Sequence, residues 1–181
     1  MNEILNLTVD LTNRRGLTLI LTRDRAHQSK TSLIASLILS GPLFVLSGDE
    51  WLPSYTLPRL IRERTTDVKR IMDRLYTSRA STCHRLFDSL ANIPSKGEPI
   101  LVLDFLHTFY DEDVPLRVRL FRLRDCCREL KRLAFHRPVI VMTQERVAVD
   151  YEKLLPALFS ITDKIFTLDP EVEETKQFAL F

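Results

Sequence analysis

Glycine is scarce in this chain: Gly16, Gly41, Gly48 and Gly97 are the 4 among 181 residues. So few glycines limit how many tight turns and open backbone cradles the fold can contain. Cysteine is scarce as well. Cys83, Cys126 and Cys127 are odd in number and have no metal-ligand spacing. That excludes a disulfide framework and a zinc module, and it fits reduced thiols in an intracellular protein, cytoplasmic or nuclear. On a helix the adjacent Cys126 and Cys127 read as small buried hydrophobes. No apolar stretch nears the length of a membrane span. The opening MNEILNLTVDLTNRR carries acids and lacks the basic start and apolar centre of a secretory leader, so no membrane association is expected. Neither charge sign dominates: 26 Lys and Arg face 24 Asp and Glu, a net charge of +2. The net charge therefore names no partner, and any charge argument must come from distribution. Internal repeats and low-complexity segments are missing too.

What is present is the composition of a globular chain, 45% apolar and 28% charged. The length suits one domain spanning 1–181, with an acidic tail over about 169–181. Short runs rich in Leu, Ile, Val and Phe, without polar alternation, predict strands at Leu17–Thr22, Leu43–Ser47, Ile100–Phe105, Val139–Thr143 and Lys164–Leu168. Strands of that kind are covered on both faces. Leu5–Leu11 is a weaker sixth candidate. Helical patterns fall between them, at Lys30–Ser40, Ser54–Arg64, Thr82–Asn92, Leu116–Phe135 and Tyr151–Phe159. Gly41-Pro42 and the segment Pro94–Pro99 supply breaks. Strand and helix alternate, which predicts an α/β fold with a mostly parallel sheet and helices on both faces. Ligands in such sheets sit beyond the carboxyl ends of the strands.

Several polar residues fall at that edge. The loop Asp24–Thr31 follows the first strand and closes on Ser29, Lys30 and Thr31 before a helix. This is the layout of a phosphate-binding P-loop, with Asp24 and Ser29 where the motif has glycine. In that motif the Lys reaches the terminal phosphates and the hydroxyl ligates magnesium. Lys30 and Thr31 have the chemistry for these roles, with Ser32 adjacent. The plainer reading is a strand-to-helix loop with a solvated Lys. Asp104 ends the run Ile100–Leu103, as does an acid that holds magnesium through water. Gln144 ends Val139–Thr143, where an amide can sense a γ-phosphate, although a glutamine in a surface turn reads the same. Glu50, after Gly48-Asp49, is a candidate general base; the competing reading is a polar loop before Trp51 and Pro53.

The segment 116–135 is strongly basic. Leu116, Leu120, Leu123, Cys127, Leu130 and Ala134 follow helical spacing and predict an apolar stripe. Arg117, Arg119, Arg122, Arg124, Arg128, Lys131 and Arg132 occupy the remaining surface, where they suit DNA phosphates or an acidic partner. The plainer reading, and the preferred one, is a merely solvated outer face. Arg59, Arg62, Arg64, Lys69, Arg70 and Arg74 form a second basic group. No aromatic residues are interleaved as a base-stacking platform requires.

Taken in order, these features resemble the RecA-type recombinase family. The correspondence runs through the loop Asp24–Thr31, the strand and acidic turn Phe44–Glu50, the strand Leu101–Asp104, the long helix Leu116–Phe135 and the strand Val139–Gln144. It extends to Ile161–Leu168 and covers roughly residues 16 to 168. Within that family the chain is most similar to the short recombinase paralogues, including the kind associated with a SWIM-domain protein. The stretch Thr77–Phe109 adds to that likeness. The resemblance implies a RecA-like P-loop core, with ATP and Mg2+ at Lys30, Thr31 and Asp104. It further implies an accessory role in homologous recombination and DNA repair, in a hetero-oligomer with a recombinase or paralogue partner. Because the loop is degenerate, weak or absent ATPase activity is expected. An active small P-loop ATPase and a structural α/β interaction protein are the alternatives.

Overall fold

The computed structural model describes residues 8, 11–12, 14–22, 27–48, 55–145 and 151–168. Six strands form one sheet: β1 (Gly16–Thr22), β2 (Leu43–Ser47), β3 (Leu75–Arg79), β4 (Ile100–Leu103), β5 (Pro138–Gln144) and β6 (Lys164–Leu168). They lie in the order β3-β2-β4-β5-β1-β6, and every pairing is parallel. The helices are α1 (His27–Ser40), α2 (Thr56–Arg62), α3 (Val68–Met72), α4 (Cys83–Asn92), α5 (Leu116–Ala134) and α6 (Tyr151–Phe159), with a 3-10 turn at Phe105–Phe109. The α/β class and the parallel sheet agree with the sequence reading.

The missing alternation in the strands has a direct cause. Successive side chains of a strand point to opposite faces, and both faces are covered. Leu17, Leu19, Leu21, Ile100, Val102, Val139 and Val141 face α4, α5 and α6. Ile20, Val45, Leu101, Leu103, Ile140 and Met142 face α1, α2 and α3. Burial on two sides leaves no solvated position for a polar residue to fill.

Four local readings are corrected. The described residues of Leu5–Leu11, Thr8 and Leu11, are helical, and the Thr12 hydroxyl donates to the Thr8 carbonyl at 2.9 Å across one helical turn. Phe105 belongs to the 3-10 turn, not to β4. β3 and α3 were not expected at all. β3 is an edge strand, with only partly buried Leu75 and Ser78 facing inward, so it lacks the apolar run that marks a central strand. α1 begins at His27, three residues ahead of the expected Lys30.

The carboxyl ends of the central strands are drawn together. The Gly48 N–H donates to the Leu103 carbonyl at 3.0 Å, and the Glu145 N–H donates to the Thr22 carbonyl at 2.9 Å. At the opposite end of β1, Asp163 grips the strand twice. Its carboxylate accepts from the Leu17 N–H at 2.7 Å, and its own N–H donates to the Leu17 carbonyl at 2.9 Å. Gly16 is required there, because a Cβ would stand 2.8 Å from the Asp163 carboxylate and its φ is +135°.

Candidate functional site

The site is built on the carboxyl ends of β1, β4 and β5. β5 separates the other two in the sheet, so Gln144 lies between the strand that leads to Lys30 and the strand that ends at Asp104. α1, the helix that follows β1, packs on one face, whereas α5 and α6, which follow β4 and β5, pack on the other. That reversal opens the crevice in which parallel α/β sheets hold ligands.

Lys30 is the fourth residue of α1, in its first turn. Its Nζ donates to Asp104 Oδ1 at 3.1 Å, with the side chains only 11% and 12% exposed. A pair so shielded from water interacts more strongly than a surface ion pair. Ser29, Thr31 and Ser32, which flank Lys30 in sequence, are also buried. First-turn N–H groups of a helix lack intrahelical acceptors, and they favour anions.

Asp104 has φ 47° and ψ 45°, and it is the only described non-glycine residue with positive φ. Asp and Asn tolerate this left-handed conformation better than most residues. It ends β4 abruptly and starts the 3-10 turn, whose His107 N–H donates to the Asp104 carbonyl at 2.9 Å. Gly48 is pressed against the same peptide unit. A Cβ at Gly48 would lie 2.8 Å from the Asp104 carbonyl oxygen and 3.2 Å from Thr108 Cγ2. A glycine is thus needed where β2 meets β4. Asp104, His107, Tyr110, Thr143 and Gln144 line a cleft of about 10 Å³, the size of one water molecule. Sequence reading missed His107 and Tyr110, because their pattern is that of a strand continuing past Asp104.

The structure therefore joins Lys30, Asp104 and Gln144 at one edge, with Thr31 next to Lys30. An ammonium, a hydroxyl and a carboxylate form a donor set that fits a phosphate chain with its magnesium. Lys30 would hold phosphate oxygens, and Thr31 and Asp104 would hold the cation. Asp24 and Glu50 lie outside the described residues. Among the described residues no group of three or more His, Cys, Asp or Glu could hold a metal by itself.

The basic helix divides into two sets. Arg119 is buried, and its guanidinium donates to the Val114 carbonyl at 2.8 Å and the Phe109 carbonyl at 2.9 Å. It fastens the loop after the 3-10 turn and cannot serve DNA or a partner. Arg132 donates to Glu129 at 2.6 Å, to Ser95 at 2.7 Å and to the Leu90 and Ile93 carbonyls at 3.2 Å. It satisfies carbonyls at the end of α4, which have no intrahelical partner. Arg122 donates to His84 at 3.1 Å, stands 5.4 Å from the Phe87 ring centroid and pairs with Asp125 at 3.5 Å. Arg119 is thereby corrected to a structural role, whereas Arg122 and Arg132, with side chains 31% and 35% exposed, hold neighbouring segments and still reach the surface. Arg117, Arg124, Arg128 and Lys131 are exposed. Leu120, expected in the apolar stripe, is exposed as well, whereas Cys126 and Leu133 are buried. Phe121 is exposed among the cations, which corrects the reading that no aromatic residue is interleaved with them.

Burial pushes the Cys126 thiol well up, aided by Cys127 and Cys83 nearby. It pushes Cys127 up to about 12 and raises Cys83. Thiols held neutral in this way are poor nucleophiles. Arg137 is likewise buried, and burial lowers its pKa. It donates to the carbonyls of Ser95 at 3.1 Å, Glu98 at 2.9 Å and Pro94, tying the connection before β4 to the end of α5.

No protein-family model matches this sequence, and no curated protein matches it significantly. Fold and site define the chain as an α/β protein with a parallel sheet and a Lys–Asp pair at its carboxyl edge. Among the described residues, no helix is long and apolar enough to cross a membrane.

Proposed function

We propose that the protein is an accessory RecA-like subunit acting in homologous recombination and DNA repair, with weak or absent ATP hydrolysis. The observation that carries this reading is the contact between Lys30 and Asp104 at 3.1 Å. A P-loop descendant brings its Lys and its magnesium-holding acid to the same place, and the residues here meet there from β1 and β4. The two are bonded to each other in a largely buried setting. A nucleotide has to part them, and the positions that would wrap its phosphates hold Asp24 and Ser29 instead of glycine. Both features weaken binding without erasing the layout. In this role the chain works by holding a partner in a hetero-oligomer, and the exposed cations of α5 offer themselves to an acidic surface.

Calorimetric titration with ATP–magnesium tests the reading. Heat too small to resolve at millimolar nucleotide, in the natural chain and in Lys30→Ala alike, is the expected result. Tight binding that disappears in Lys30→Ala would overturn it in favour of an active small P-loop ATPase. That second reading draws on Gln144, which shares a cleft with Asp104.

A further inference from the structure

The outward face of α5 carries more than charge. At 100° per residue, Arg117, Leu120, Phe121, Arg124, Arg128 and Lys131 fall within one stripe. Phe121 is 56% exposed on it, and Phe135 at the end of the helix is 77% exposed. Val118 and Leu120 are also more than a third exposed. From Arg117 to Phe135 the stripe runs about 27 Å. The acids of α5 lie off it and are engaged: Asp125 by Arg122 and Arg128, Glu129 by Arg132. Among the described residues Arg117, Arg124 and Lys131 make no ion pair. The inner face of α5 is covered by the sheet, and its flanks by α4 and α6, so the stripe is the ridge of a three-helix layer.

We infer that this stripe docks an acidic amphipathic helix of a partner protein. Apolar side chains in the middle of a cationic stripe favour protein over nucleic acid. A phosphate backbone gains nothing from Leu120, whereas a partner helix covers Leu120 and Phe121 with its own apolar face. Arg and Phe are enriched in protein interfaces, and exposed apolar groups rimmed by charge mark them. Charge complementarity supplies the sign, since among the described residues Arg117, Arg124 and Lys131 make no ion pair and have no exposed acid between them, and so select Glu and Asp on the facing helix. The inference deepens the accessory-subunit reading and rests on it. Its test shares no residue with the nucleotide titration, so the two can fail separately.

The test uses the full chain and a fluorescein-labelled 21-residue probe peptide with Leu at i, i+3, i+4 and i+7 spacing and Glu elsewhere. Fluorescence anisotropy should show binding that falls at least tenfold with Leu120→Ser/Phe121→Ser. Binding should also fall, and lose its salt dependence, with Arg124→Glu/Lys131→Glu. Thermal melts of both variants should match the natural chain, since all four side chains are exposed. Failure of the probe to bind, or equal binding by a scrambled peptide, would overturn the inference. So would a 20-nucleotide oligothymidylate that binds more tightly and is indifferent to Leu120→Ser/Phe121→Ser, since the face would then serve nucleic acid. Peptide binding that emerges only after deletion of residues 169–181, an acidic stretch ending in Phe-Ala-Leu-Phe, would assign the face to this chain's own tail and also overturn it.

Discussion

The ammonium of Lys30 and the carboxylate of Asp104, 74 positions apart in sequence, meet at 3.1 Å where β1 and β4 end. Removing one partner leaves the other's charge in a site with little water to solvate it. Asp104→Asn keeps the size and tolerates the left-handed backbone, so it isolates the charge. It should destabilise the fold by about 3 kcal/mol in urea titration. Adding Lys30→Met should restore part of that loss, and full additivity of the two changes would show that the pair is not coupled.

Gly48 answers to the same acid through the backbone. Gly48→Ala places a Cβ 2.8 Å from the Asp104 carbonyl oxygen, and that oxygen belongs to a peptide fixed between β4 and the 3-10 turn. The expected loss is about 1–3 kcal/mol. Gly41→Ala is the control, because nothing lies within 4 Å of a Cβ there. Equal melting temperatures for the two variants would refute the close-approach argument.

Arginines on one helix should behave in opposite ways. Arg119→Ala strips partners from the Phe109 and Val114 carbonyls and should cost about 2 kcal/mol. Arg124→Ala, on the exposed face, should stay within about 0.5 kcal/mol of the natural chain. Chemical denaturation of both variants reads the contrast directly.

The cysteines set an alkaline limit. A thiol whose folded pKa is raised contributes stability that is fully present below its unfolded pKa of 9.0 and is lost as pH climbs through the folded value, about 12 for Cys127. Relative to Cys127→Ala, the natural chain should lose stability progressively from about pH 9 to pH 12. Parallel curves for the two proteins would contradict the burial argument. At pH 8 the native thiols should react with Ellman's reagent only on unfolding, because Cys83, Cys126 and Cys127 are all buried.

How much of this was legible in the sequence depends on which neighbour controls each residue. Strands covered on both faces announce themselves, because two apolar layers demand an unbroken apolar run, and Leu43–Ser47 was placed to the residue. Lys164–Leu168 was placed to the residue too, although it is an edge strand that leaves Ile165 and Thr167 exposed, and not one covered on both faces. β3 gave no such signal, since Tyr76 and Thr77 look outward from an edge. The positions of Lys30, Asp104 and Gln144 at strand ends were readable from order alone. Their mutual approach was not, because it depends on β5 lying between β1 and β4. Helical spacing showed that α5 is basic, yet it could not tell Arg119 and Arg132, which clasp carbonyls of other segments, from Arg124 and Lys131, which face water. Nor did it reveal that Phe121 and Phe135 share the outward side with those cations.

The sheet order carries a consequence for how the chain assembles. β1 is the first of the described strands to be made, yet its hydrogen-bonded neighbours are β5 and β6. During synthesis it waits for more than a hundred residues before either neighbour exists, while β2, β3 and β4 can already pair among themselves. Long-range parallel pairing of this kind is slow to form. Until residue 144 has left the ribosome, β1 is an apolar segment with no sheet to join, and its companion helix has nothing to cover. Over that interval the apolar β1 is open to aggregation, and the strand that brings the Lys30 and Asp104 ends of the sheet together, β5, is not yet in place.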